Sequence, residues 1–379
     1  MDFKLSKEQE LIRNTVREFA ETEVKPIAAA IDREKRFPTE TVKRLKELNL
    51  LGIPFPKEYG GAEADALSFA IVVEELSRAC AATGVIVSSH MTLGSHPIYQ
   101  WGTEQQKKKY LTRVASGDAL AAFCLTEAGA GTDASAQQTT AELKGDNYIL
   151  NGSKIFITNG GQADIYIVMA MTDKSQGTKG ISAFIVEKSF PGFEVGQLEE
   201  KMGIRASETR EIIFKACEVP RENLLGEEGG GFKIAMNALD FGRIGIAAQA
   251  LGIAQASLDE SVNFAKERQQ FGKPISSFQG LQWMMAEMAT RIQAARHLVY
   301  HAAWTKDSGA RYSMEAAMAK LYASEAAMWA STKAVQIHGG RGYTNRCPVE
   351  RFMRDAKITE IYEGTNEVQR MVIAGSILR

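Results

Sequence analysis

Close to its C-terminus the chain reads Ile358-Thr-Glu-Ile-Tyr-Glu-Gly-Thr-Asn-Glu-Val-Gln-Arg370, the stretch richest in groups able to do chemistry. Glu363 is a carboxylate that can take up a proton. Gly364 beside it permits close backbone approach, and Thr365 and Asn366 add a hydroxyl and an amide. Val368, Met371, Val372 and Ile377 then recur at helical spacing. Thr365 or Asn366 would cap that helix, and its free N–H groups would point toward Glu363 or toward a ligand. Two readings of Glu363 stand on these residue types: a general base beside a ligand, or an acid at the positive end of a helix.

Other segments pair polar side chains with permissive backbone. Phe123-Cys-Leu-Thr-Glu-Ala-Gly-Ala-Gly-Thr-Asp133 leaves a β-type run for a loop in which Gly129 and Gly131 open the backbone and Thr126 and Thr132 offer hydroxyls. A plain strand-to-loop turn also accounts for it, and no third glycine opens a helix, so it is not a dinucleotide fingerprint. Asp240 and Arg243, three apart, share a helix face, which a mere surface pair would also explain. Gly339-Gly340 ends an apolar helix as a C-cap would. His297 and His301 have metal spacing but no third ligand nearby, which favours a structural reading.

These residues need elements to hold them. The 379 residues suggest two or three domains at roughly 100–200 residues each. With 45 basic and 46 acidic side chains, nothing points to nucleic acid or a membrane surface, and no apolar run reaches the ~18 residues a bilayer span needs. Met1-Asp-Phe-Lys-Leu-Ser-Lys-Glu has no leader composition. Cys80, Cys124, Cys217 and Cys347 form no CxxC pair and read as free thiols, so a cytoplasmic protein is expected, or an organellar one already trimmed.

Residues 1–120 carry helical periodicity: Leu5, Ile12, Val16, Phe19 and Ile27, a run from Thr39, a break over Pro54–Gly61, then Asp65–Cys80, a stretch after Gly84 and a start at Thr103. From Ala121 short β-type runs alternate with turns: Ala121–Leu125, Thr139–Leu143, Tyr148–Leu150, Lys154–Thr158, Ile165–Met171, Ile181–Val186 and Glu211–Phe214, with Asn151–Lys154 read as a turn. They predict a small antiparallel sandwich or barrel. After Pro220 long helices return, one ended by Phe271-Gly272, one with a seam from Leu281 to Ala302, and one marked by Leu321, Met328 and Val335. With the terminal helix they predict a four-helix bundle. The fold class is therefore α+β and multidomain: an all-α domain over 1–120, a β domain over 121–225 and a helical bundle over 226–379.

Ile361-Tyr-Glu-Gly-Thr-Asn-Glu367, with Val368-Gln-Arg-Met-Val-Ile-Ala374, resembles the active-site segment of the acyl-CoA dehydrogenases, a family with this all-α, all-β, all-α order. At least six segments, in family order, extend the resemblance over nearly the whole chain, nearest to the short-chain, butyryl-CoA branch. The resemblance implies that Glu363 is the catalytic base and that FAD is the cofactor. The Phe123–Asp133 segment, with Ala128 for the family proline and Thr132 for serine, then puts Phe123, Leu125, Thr126, Gly131 and Thr132 at the flavin, Thr132 also near the substrate. Lys154-Ile-Phe-Ile-Thr-Asn puts Phe156, Ile157 and Thr158 against it, Phe156 standing for the usual tryptophan. Stacking needs only an aromatic face.

By the same resemblance Asp240, Arg243 and Gly364 contact the acyl-CoA, and Thr365, Asn366 and Glu367 join the flavin site. Arg268, Phe271 and Gln279, and Gln336, Ile337, Gly339 and Gly340, would bind FAD of a neighbouring subunit, which implies a homo-oligomer, a tetramer built as a dimer of dimers. Lys201-Met-Gly-Ile-Arg-Ala-Ser207 also resembles the family but receives no chemistry. Some relatives carry the base at the position of Gly242, so glycine there leaves Glu363 as the base. The implied reaction oxidises a short acyl-CoA to trans-2-enoyl-CoA, with electron-transfer flavoprotein as acceptor. A flavin oxidase using oxygen, or a non-catalytic acyl-CoA-binding scaffold, are the alternatives.

Overall fold

The computed structural model describes residues 4–378; the leader reading of Met1, Asp2 and Phe3 lies outside them. Helix α1 (Lys7–Phe19) starts at a capping box in which Ser6 Oγ accepts from Gln9 N at 3.2 Å and Gln9 Oε1 accepts from Ser6 N at 2.9 Å. It continues through one wider turn, Ala20–Val24, into α2 (Lys25–Glu34), and α3 (Thr39–Glu47) follows. Asp65 caps α4 (Ala66–Ala79), accepting from Ser68 N at 2.7 Å. Helix α5 (Ala81–Ser89) begins before Gly84, not after it. The glycine is an interface residue: a Cβ there would lie 1.9 Å from Ser77 Oγ on α4. Beyond the turn His90–Ser95 come α6 (His96–Trp101), α7 (Glu104–Gln106), capped by Thr103, and α8 (Thr112–Ala115).

His90 joins this helical part to the sheet. Its Nδ1 accepts from Ala121 N at 3.0 Å, so Nε2–H donates to Val114 O at 3.1 Å. Burial holds the imidazole neutral, pushing its pKa down to about 4.

The sheet comprises β1 (Ala121–Cys124), β2 (Thr140–Lys144), β3 (Asn147–Thr158), β4 (Ile165–Met171), β5 (Ile181–Glu187), β6 (Phe193–Leu198), β7 (Thr209–Pro220) and β8 (Leu224–Leu225). Their order is β6-β7-β3-β2-β4-β5-β8, antiparallel except that β1 runs parallel to β4 and β2 meets β4 in parallel at Thr140 and Met171. The expected turn at Asn151–Lys154 is corrected: β3 runs straight through it. Register shifts against β7 between Leu150 and Gly152 and between Lys154 and Ile157 bend the strand. Turn-type residues there make bulges because both flanks pair with the same long neighbour. Strands β6 and β8, short and partly exposed, carry no alternation that marks them in the sequence.

Helix α9 (Gly231–Glu267) ends before Phe271-Gly272, which instead turn a hairpin between β9 (Gln269–Gln270) and β10 (Lys273–Pro274) with φ 53° and 77°. Then come α10 (Gln279–Asp307), α11 (Ser313–His338), α12 (Val349–Thr359) and α13 (Asn366–Ile377). Helix α12 was not anticipated: it is short, and its buried face mixes Val349, Phe352 and Ala356 with Arg351 and Asp355. Buried alanines 316, 319, 323, 327, 330 and 334 let α11 pack closely on α9. Helices α4 and α5 lie on another side of α9, where a Cβ on Gly252 would come within 2.4 Å of Glu74 O. The base of the helical layers is thus fixed on α9.

Candidate active site

Helix α12 stops at Thr359 and α13 starts at Asn366, and the chain between them reverses tightly. Asn366 N donates back to Glu360 O at 3.0 Å. Thr365, not Asn366, is the cap, its hydroxyl accepting from Val368 N at 3.4 Å. At the apex Glu363 has φ 54° and Gly364 φ 91°. A non-glycine residue held left-handed costs about 1–3 kcal/mol, so surrounding contacts must hold it.

Those contacts come from three elements. Lys320 of α11, fully buried, donates Nζ to Gly364 O at 2.9 Å and to Asn366 Oδ1 at 3.0 Å, and Ser324 Oγ donates to the same amide oxygen at 3.0 Å. Gln369 Nε2 reaches Glu363 O at 3.3 Å and Gly364 O at 2.8 Å. Tyr362 OH bonds to Gln249 Oε1 of α9, and Gln249 Nε2 donates to Ala81 O at 2.9 Å, tying the turn to α5.

The Glu363 carboxyl enters the gap left by Gly242 on α9. A Cβ there would lie 2.0 Å from Oε2 and 3.0 Å from Leu93 Cδ2. Oε2 is shielded from solvent and has no hydrogen-bond partner. Desolvation pushes the carboxyl up to about 8, against the opposing pull of Arg243 and Lys320. A carboxyl that is desolvated, unpaired and titrating near neutrality is suited to proton transfer.

Arg243 and Asp240 are not a surface pair. Arg243 is 6% exposed, its NH1 donates to Asp240 Oδ1 at 2.6 Å, and Asp240 Oδ2 accepts from Ser313 Oγ at 2.5 Å. Arg243 Nε stays buried without a partner, a donor free for an anionic or carbonyl group.

The wall opposite is built from β1 and β3. Leu93 touches the Glu363 gap, while a Cβ on neighbouring Gly94 would lie 2.5 Å from Ala121 Cβ at the start of β1. Past β1, Thr126 O accepts from Ile155 N at 2.9 Å, which lays the loop along β3. Lys154 secures the loop: its buried Nζ donates to Leu125 O at 3.1 Å, Glu127 Oε1 at 2.7 Å and Gln137 Oε1 at 2.9 Å. Phe156 bulges out of β3 with φ 58°, 59% exposed, beside half-buried Thr158 and Thr126. Phe123, Leu125 and Ile157 are buried, whereas Gly131 and Thr132 are exposed and Gly131 has open space on its Cβ side. An aromatic face presented bare, flanked by hydroxyls and an open glycine loop, fits a planar cofactor such as a flavin.

The remaining candidates lie elsewhere. His338, at the end of α11, stacks on Phe264, near the end of α9, with ring centroids 4.3 Å apart. Exposed Gln336, Gly339 and Gly340 therefore share one end of the bundle with the hairpin carrying exposed Arg268 and Phe271, Gln279 following at the head of α10. Gly339 does cap α11, with φ 57°, and Ile337 is buried. Gly242 and Phe264 are about 33 Å apart along α9 at 1.5 Å per residue, so this group is not brought to Glu363 within one chain. Glu367 is exposed on the first turn of α13. His297 bonds Gln293 and His301 stacks on Trp304.

Sequence reasoning missed Lys320, Gln369, Gln249 and the Lys154–Glu127 pair. The signal for Lys320 was available: it is a lone charge at helical spacing within the stripe of Ala316, Ala319, Ala323 and Ala327.

Comparison with known proteins identifies the family. The models of the acyl-CoA dehydrogenase N-terminal, middle and C-terminal domains match residues 6–118, 122–217 and 229–378. The chain belongs to the acyl-CoA dehydrogenase family. It is 59% identical over 379 residues, all of both chains, to a short-chain specific acyl-CoA dehydrogenase of Clostridium acetobutylicum. Among solved structures, butyryl-CoA dehydrogenase from Megasphaera elsdenii superposes with TM-score 0.99 at 51% identity, over 100% of both chains. A chain in the structure of the electron transferring flavoprotein of Acidaminococcus fermentans does so with TM-score 0.99 at 57% identity, again over 100% of both.

Proposed function

We propose that the protein is a short-chain acyl-CoA dehydrogenase that converts a short acyl-CoA thioester to its trans-2-enoyl-CoA with FAD as cofactor. The observation that carries this reading is the Glu363 carboxyl, desolvated and unpartnered in the gap opposite Gly242. Glu363 takes the α-proton of the substrate. Its N–H makes no backbone hydrogen bond among the described residues and is available to polarise the thioester carbonyl, acidifying that proton. Arg243 Nε, with Asp240 orienting the guanidinium, receives polar groups of the CoA moiety, and Gly364 lets the acyl chain pass the turn. Closure over an apolar acyl chain excludes water from Glu363.

For the cofactor, Phe156 supplies a stacking face, Thr126 and Thr158 supply hydroxyls, and the Gly131–Thr132 loop admits the ring system. Phe123, Leu125 and Ile157 back it from the core, and Thr365, Asn366 and Glu367 close it from α13. FAD, when bound, supplies the two-electron acceptor that takes the β-hydride and passes electrons to electron-transfer flavoprotein. Arg268, Phe271, Gln279, Gln336, Ile337, Gly339 and Gly340 hold the far end of the cofactor on a neighbouring subunit. Their distance from Glu363 along α9 and the 91% exposure of Phe271 support this, and with it a homotetramer. The three-part division 1–120, 121–225 and 226–379 belongs to the same reading. So does a cytoplasmic location, which the four free cysteines favour; no helix of the described residues is long and apolar enough to cross a membrane.

The test is the visible spectrum of the purified protein followed by anaerobic butyryl-CoA. A flavin spectrum that bleaches is expected, and Glu363→Gln should keep the flavin and lose bleaching by about 10²–10⁴-fold. A Glu363→Gln variant that bleaches at the wild-type rate would remove Glu363 as base. Reduced flavin that recolours in air as fast without electron-transfer flavoprotein as with it would point to the oxidase instead.

A further inference from the structure

Lys320 is a fully buried cation that the reaction as described does not use. Its hydrogen-bond acceptors, Gly364 O and Asn366 Oδ1, are neutral and lie one on each side of the Thr365 cap. We propose that Lys320 is a positioning residue for the base: it clamps the Glu363–Gly364 turn through the Gly364 carbonyl and adds its charge beside the Glu363 carboxylate, which it holds ready to accept a proton. This inference rests on the reading of Glu363 as base.

The geometry gives Lys320 a role that no other group near the turn fills. Gln369 grips the same carbonyls but is neutral. Arg243 from α9 and Lys320 from α11 act on Glu363, Tyr362 lies beside it, Asp240 pairs with Arg243, and Glu360 and Glu367 of its own segment act on Lys320. Arg243 also favours the Glu363 carboxylate, but its guanidinium is held by Asp240 and makes no hydrogen bond to the turn. Lys320 is therefore the cation that both grips the turn and adds its field to that of Arg243 at the base, in a site where low dielectric makes that field strong. Burial draws the Lys320 ammonium down and the Glu363 carboxylate pulls it back up, so each charge favours the other.

The sign of the effect is fixed. A neighbouring positive charge favours the carboxylate, so its removal raises the pKa of Glu363, and base catalysis then needs a higher pH. The experiment follows flavin bleaching by butyryl-CoA in anaerobic rapid mixing, as a function of pH, for wild type, Lys320→Gln, Lys320→Met and Lys320→Arg. FAD content and substrate Kd are measured alongside. Lys320→Gln keeps a donor for the Gly364 carbonyl but loses the charge. Its acid limb should move up by about one pH unit or more, with a roughly tenfold slower rate at pH 7 and FAD content unchanged. Lys320→Met should show the same shift plus a loss at the pH-independent plateau, because the clamp is gone too. Lys320→Arg should keep the acid limb near its wild-type position.

If Lys320→Gln fails to fold, Asn366→Asp decides, since a carboxylate bonded to Lys320 cancels its charge from the other side and should move the limb the same way. An acid limb that stays at the wild-type position in the folded neutral variant overturns the inference. If Glu363→Gln is inactive while the limb does not move, only this inference falls. If Glu363→Gln is active, the assignment of the base falls and this inference goes with it.

Discussion

The Glu363 carboxylate occupies the volume that a side chain at residue 242 would fill: a Cβ on Gly242 would stand 2.0 Å from Oε2. One residue on α9 thus decides whether a base presented from the α12–α13 turn can enter the site at all. The turn supplies the carboxyl, and the helix supplies the vacancy it needs.

Gly242→Ala tests that relation directly. The methyl group meets Oε2 at 2.0 Å on one side and Leu93 Cδ2 at 3.0 Å on the other, and Leu93 is itself buried. The carboxyl must therefore swing away. Misplacement of a reacting group by about 1 Å costs roughly 10²-fold in rate. Flavin bleaching by butyryl-CoA should slow by about that factor while FAD content stays at the wild-type level. Bleaching at the wild-type rate would show that the base has room elsewhere.

The pH dependence follows from the raised carboxyl. In the free enzyme Glu363 titrates at about 8, so kcat/KM should climb with pH and level off above about 8, since that ratio reports groups of the free enzyme. Stability runs the other way. The folded value lies above the ordinary 4.5, so the native state binds this proton more tightly than the unfolded chain does. The resulting stabilisation is present in full below 4.5 and is lost as pH rises through about 8. Glu363→Gln cannot ionise, so its melting temperature relative to wild type should rise between pH 5 and pH 9. A constant difference across that range would contradict a protonatable Glu363 whose Oε2 is shielded from solvent.

The Lys154–Glu127 pair makes a separate prediction. Both side chains are buried, at 0% and 7% exposure, with 2.7 Å between them, and Glu127 also accepts from Gln138 N and Thr139 N at 2.6 Å and 3.0 Å. Lys154→Met leaves that carboxylate buried without its cation, which typically costs about 3–5 kcal/mol. Denaturant unfolding should show a loss of that order. Thr126 and its loop should loosen as well, so the purified variant should carry less FAD per chain. Full FAD occupancy would separate this knot from the cofactor site.

Much of the site was legible in the residues themselves. Glu363-Gly364-Thr365 announces a turn into a capped helix because a capping hydroxyl and a glycine at positive φ are local requirements, met by the residues in the turn itself. The change from period 3.6 to short β-type runs near Ala121 and back after Pro220 is equally local, set by which face of each element must be apolar. Where sequence reading failed, the deciding neighbour was distant in the chain. Asn151-Gly-Ser-Lys154 has turn chemistry, yet pairing with β7 on both flanks keeps it a strand, and Gly84 sits inside a helix because Ser77 lies against it. Helix α12 hides because buried Arg351 and Asp355 interrupt its apolar face.

By itself, then, the sequence determined the order of elements and the turn that presents Glu363, since these depend on residues within a few positions of one another, while the choice of Glu363 as base came from the resemblance of its segment to the family. Only the tertiary structure decided that Arg243 is buried with a free Nε, that Lys320 grips the turn from 44 positions away, and that Gly242 opens the space for Glu363. It also decided that Arg268 and Gln336 lie at the far end of the bundle from the base. Desolvation and approach distance are properties of packed surfaces, and periodicity tells which face of a helix is buried but not which residue it is buried against.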